Sequence, residues 1–134
     1  MRRVTIDTTE AQGFEPIEPG PYQMKVETIT DPEKSKPSQK NPQGVLGLTV
    51  TFRFVDPNFA RHNGDIDRWY AVAGKGAGFI REFWKAATGE DIPLDHQFDV
   101  DLDTALGRVV ICQVGNESFE GRLRNRVERV VAVS

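Results

Sequence analysis

Five strand-like stretches, most of them alternating apolar and polar residues, run along this chain, and between the third and fourth the rhythm switches once to that of a helix. After the turn signal Pro19-Gly20-Pro21, the residues Tyr22, Met24 and Val26 alternate with Gln23, Lys25 and Glu27. This predicts a half-buried first strand that runs to Thr30. Leu46, Leu48, Val50, Phe52 and Phe54 then alternate with Thr49, Thr51 and Arg53, a second strand over Val45–Val55. The third strand is expected over Ile66–Ala73, with Trp69 and Ala71 on one face and Arg68, Tyr70 and Val72 on the other. From Gly74 to Thr88 the apolar positions Phe79, Ile80, Phe83, Trp84 and Ala87 recur at helical spacing, and Gly89 supplies the stop. Val109–Val114 is the fourth strand, Gly115-Asn116 a hairpin turn, and Phe119–Val133 the fifth strand, with Gly121 as a bulge.

The connections are unequal. Asp31–Gly44 contains Pro32, Pro37, Pro42 and Gly44 among lysines and serines, a composition expected to form neither helix nor strand. Glu90–Leu106 is an acidic connector with a short helical turn expected at Thr104-Ala105-Leu106. Residues 1–19 read as an extended N-terminal arm anchored by Phe14 and Ile17, and residues 20–134 as one domain. The fold class is therefore all-β with one helix. Five strands with the helix between strands 3 and 4 is the order of a five-stranded OB-like barrel, a fold that binds oligonucleotides in many proteins.

At 134 residues the chain is long enough to bury a core of its own. No run approaches about 18 apolar residues and no signal-peptide pattern opens the chain, so a soluble, cytoplasmic protein without membrane contact is expected. The single cysteine, Cys112, excludes an internal disulfide and a cysteine-based zinc site, and its apolar surroundings suit an inert, buried thiol. The net charge of −3 argues against a uniformly basic surface, but the charge is unevenly distributed. Glu90, Asp91, Asp95, Asp99, Asp101 and Asp103 cluster in the connector, while four arginines lie between Arg122 and Arg129.

Arg122, Arg124 and Arg126 share one face of the last strand, opposite Leu123, Asn125 and Val127. Same-face neighbours on a strand are about 6.5–7 Å apart, close to the spacing of successive phosphates. Such a ladder contacts either phosphates or carboxylates of neighbouring strands or of the acidic connector. Arg53, Arg68 and Tyr70 are expected outward on strands 2 and 3, Tyr70 as a stacking surface for a base. Trp69 and Trp84 are expected in the core. Lys34, Lys36 and Lys40 in the first long loop complete a clamp. Lys75, in Gly74-Lys75-Gly76-Ala77-Gly78, lies in a flexible helix entry or contacts a phosphate at the helix N-terminus, and the segment lacks the spacing of a phosphate-binding loop. Asp99-Val100-Asp101-Leu102-Asp103 opens like a calcium loop, but Thr104 and Val110 stand where glycine and glutamate are needed. His62 and His96 have no ligand-spaced partners, and no nucleophile or carboxylate pair suggests catalysis. A binding module without cofactor or metal is expected, not an enzyme.

The runs Pro19-Gly20-Pro21-Tyr22-Gln23-Met24-Lys25-Val26, Lys34-Ser35-Lys36, Leu48-Thr49-Val50-Thr51-Phe52 and Phe119-Glu120-Gly121-Arg122-Leu123-Arg124-Asn125-Arg126-Val127 resemble a family of small phage-encoded proteins. These are regarded as single-stranded-DNA-binding or recombination-associated OB-fold proteins. The resemblance covers residues 14–133 and implies coating of single-stranded DNA during phage replication or recombination, in the host cytoplasm. It carries over to Lys34, Lys36, Gly121, Arg122, Arg124 and Asn125. Partners implied are single-stranded DNA, replication or recombination proteins, and further copies of the chain. The ending Val130-Val131-Ala132-Val133-Ser134 departs from the acidic tail by which bacterial single-strand binders recruit partners. Its valines suit an edge strand, and a protein-interaction or assembly module is the alternative function.

Overall fold

A computed structural model of the protein describes residues 2–7, 17–39, 42–59, 65–94 and 97–133, without the side chains of Phe119 and Arg122. Phe14, Lys40, His62 and His96 lie outside the described residues. The strands are β1 (Gly20–Ile29), β2 (Glu33–Lys34), β3 (Leu46–Phe54), β4 (Asp65–Ala71), β5 (Val109–Phe119) and β6 (Arg122–Ala132). The helix α1 (Ala77–Thr88) follows β4. The molecule is mostly antiparallel sheet with one helix, as the alternation requires.

The sheet runs β2-β3-β1-β5-β6, and β4 pairs with the other side of β3. It is not closed: β4 and β6, its two long edges, lie side by side without backbone pairing. Arg68 bridges this seam by donating from Nη1 to the carbonyl oxygens of Val127 (2.8 Å) and Glu128 (2.6 Å).

Three local expectations are corrected. The Asp31–Gly44 loop does contain a strand, because the backbone of Glu33 and Lys34 pairs with Gly47 and Leu46. The last hairpin turns at Glu120-Gly121, not at Gly115-Asn116. Both turn residues have positive φ, 51° and 78°, the two-residue geometry whose twist matches a hairpin. Gly115 stays within β5, paired with Arg126, and the Glu128 side chain lies across it. The short helical turn occupies Leu102–Ala105, two residues earlier than expected, capped by Asp101, which accepts from the Asp103 amide at 3.1 Å.

The core forms where the inward faces of the strands meet α1. Met24, Val26, Val50, Phe52, Val110, Cys112 and Val114 are completely shielded from solvent. Phe83 of α1 stands edge-on to Phe52 (5.8 Å between centroids) and stacks on Tyr70 (5.4 Å). Trp84 is buried as expected and donates from Nε1 to Glu90 at 2.8 Å. Phe79, expected on the same buried face, is instead 51% exposed. Burial pushes the Cys112 thiol up to about 12, so the neutral form persists. α1 ends at Gly89, whose left-handed φ of 81° lets its amide reach the Lys85 carbonyl. Glu82 fastens α1 to β6 by accepting from Arg129 Nε (2.8 and 3.0 Å) and from the Val130 amide (3.3 Å). That amide is therefore not open for pairing with another strand, as a free edge would require.

Asn125 ties the start of the domain to the hairpin. Its side chain accepts from the Ile17 amide (2.8 Å) and donates to the Ile17 carbonyl (3.0 Å). Ile17 itself is buried, the anchoring role expected of it.

Candidate nucleic-acid interface

The register of β3 against β4 decides which side chains reach the candidate surface. Leu48, Val50 and Phe52 face the core, and they pair with Tyr70, Arg68 and Ile66 respectively. Paired residues share a face, so Tyr70 points inward and Trp69 outward. The expectation for these two residues is thus reversed. Tyr70 is 2% exposed, its hydroxyl has no hydrogen-bond partner among the described residues, and burial raises its pKa strongly. It cannot stack a base. Trp69 is 47% exposed and lies flat over Gly47, where any Cβ would strike the indole. The signal was present in the phase of the strand. Ile66, Tyr70 and Val72 fall on one side with a single arginine, while Asp65 and Asp67 accompany Trp69 on the other.

Arg68 is likewise not an outward cation. Its guanidinium lies over the rings of Tyr70 (4.7 Å) and Phe79 (5.0 Å) while serving the seam carbonyls. Arg53 does face outward, but it is held by Glu27 (3.3 Å) and Asp65 (3.1 Å). The hydrogen bond that Arg53 donates to Asp65, then the charges of Asp65 and Glu27, raise its pKa.

Arg124 and Arg126 share a face of β6, and the carboxylate of Glu117 on β5 stands between them. Arg124 Nε donates to Glu117 Oε1 at 2.6 Å, and Arg126 Nη1 lies 3.6 Å from Oε2. Arg126 also reaches Glu128 at 3.3 Å. Of the carboxylate sources weighed for this ladder, the neighbouring strand supplies Glu117 and the ladder's own strand Glu128.

Two adjoining hollows, of about 330 and 440 Å³, lie over the seam. The larger is lined by Asp67, Arg68, Trp69 and Phe79 on one side and by Glu117, Arg124, Arg126, Val127 and Glu128 on the other. Of the residues expected at the site, Arg68, Arg124 and Arg126 converge here. Lys34, Lys36, Lys75 and Arg53 line neither hollow, though all four are exposed. The Arg122 side chain and Lys40 lie outside the described residues. Asp67, Trp69, Phe79, Glu117, Val127 and Glu128 line the groove without having been expected at the site.

The groove is electrically balanced, because Arg68, Arg124 and Arg126 are matched by Asp67, Glu117 and Glu128. What distinguishes it is the presence of two exposed rings, Trp69 and Phe79, beside the arginine ion pairs. Compared with known protein families and with curated proteins, the chain matches none.

Proposed function

We propose that this chain is an OB-like barrel that binds single-stranded DNA without strong sequence preference, with the groove over the β4/β6 seam as its site. The observation that carries this reading is the pair of exposed rings, Trp69 and Phe79, lining one groove with Arg124 and Arg126. Aromatic platforms accept any base, and each stacked base contributes about 1–3 kcal/mol. The arginines contact phosphates in the same groove. The strand order supports the barrel reading: a helix follows the third long strand, and the first long strand is central to the sheet. The resemblance to phage-encoded single-strand binders supports the same ligand, and with it a role in phage replication or recombination.

Trp69 makes the test direct, since Trp84, the other tryptophan, is buried. Titration with oligothymidine is expected to quench the fluorescence of Trp69. Trp69→Ala is expected to abolish the quench and weaken binding by about 1–3 kcal/mol, roughly 5- to 150-fold. An unaltered affinity in W69A would remove the platform from the site.

A second reading, an assembly module, is favoured by the solvent side of β5 and β6. There Ile111 pairs with Val131, and Val109, Val131 and Val133 are exposed. Size-exclusion chromatography with and without oligothymidine separates the two readings. Self-association indifferent to the oligonucleotide favours assembly.

A further inference from the structure

We infer that Glu117 is an internal anion occupying the phosphate position of the groove, so that a single strand binds by displacing a carboxylate supplied by the protein itself. This rests on the nucleic-acid reading above and adds a regulator of affinity to it. Glu117 pairs in register with Arg124 across the β5–β6 ladder, and its two oxygens address Arg124 and Arg126 separately. Those arginines are two residues apart on one strand face, about 6.5–7 Å along it. A single carboxylate thus straddles an interval that suits consecutive phosphates. Its side chain is 29% exposed, against 54% and 52% for the arginines, so it sits between them and remains within reach of solvent.

An incoming phosphate replaces one anion by another of similar charge. Charge alone then yields little net gain, because each phosphate contact made costs an ion pair already present. Ligands that also offer unstacked bases to Trp69 and Phe79 gain in full. The displaced carboxylate also stays close to the bound strand and retains cations there, which reduces the net release of counterions.

The experiment compares the parent, Glu117→Gln and the charge-conserving Glu117→Asp by fluorescence anisotropy with labelled oligothymidine over a series of salt concentrations. The oligonucleotide should exceed the roughly 4–16 nucleotides that one such barrel covers. E117Q is expected to bind about threefold to fivefold more tightly at low salt, the range of an exposed ion pair. Its salt slope should steepen by about 0.7 for each phosphate newly neutralised. E117D is expected to follow the parent. If the parent binds and E117Q binds no more tightly, or with no steeper slope, the role of Glu117 is overturned while the nucleic-acid reading stands. If neither protein binds, both fail. A second measurement needs no substitution. On titration of the parent, the Arg124 Nε–H and Glu117 side-chain carboxyl resonances should shift together with those of the Trp69 indole. Shifts of the indole alone would overturn the inference.

Discussion

The position of one indole ring decides what this surface offers a ligand. Trp69 and Tyr70 are adjacent, so a strand must expose one of them, and residue type does not say which. Pairing with Leu48 turns Tyr70 inward, and the bare backbone of Gly47 gives the Trp69 ring its resting place. Gly47→Ala should therefore lift the ring without disturbing the core. The unfolding free energy is expected to fall by about 1–3 kcal/mol, as when a methyl group is forced into a filled site, while Trp69 loses its quenching by oligothymidine. Thermal unfolding followed by the same fluorescence titration checks both parts. At this scale the sequence was only partly legible. Cys112, Ile17 and Trp84 are buried as their surroundings suggested, whereas the partners of the arginines depend on tertiary register, which no local pattern contains.

At the scale of elements, the reading succeeded where the side-chain period is unambiguous. The five long strands and the helix lie where alternation and helical spacing put them, and Gly89 stops α1. The hairpin was misplaced because two glycine-containing pairs, Gly115-Asn116 and Glu120-Gly121, compete for the turn. Glutamate at positive φ is not a turn signal, and Gly115 lies inside the strand with the Glu128 side chain across it. The two-residue strand β2 was invisible because too few residues pair there to leave a period. Phe83 of α1 is almost fully buried between Phe52 and Tyr70. Phe83→Ala is expected to lower stability by about 3–5 kcal/mol through lost burial and the cavity left behind. Chemical denaturation of the variant measures this. A loss under about 1 kcal/mol would mean that α1 is not a structural wall of the core.

At the scale of the whole molecule, the long edges of the sheet meet along a line where one side chain substitutes for a ladder. Arg68 satisfies the Val127 and Glu128 carbonyls that a paired strand would otherwise serve. Local opening should begin along this line, since few backbone hydrogen bonds oppose it. Native-state hydrogen exchange should show the amides of β4 and β6 less protected than those of the central strand β1, and Arg68→Ala should widen that difference. The groove lies directly above the same line. An oligonucleotide laid there would act as a splint across a fracture, joining two lips whose backbones Arg68 bridges. Slower exchange on both edges would then report occupancy even where affinity is modest, and stiffening of the scaffold would become a signal in its own right.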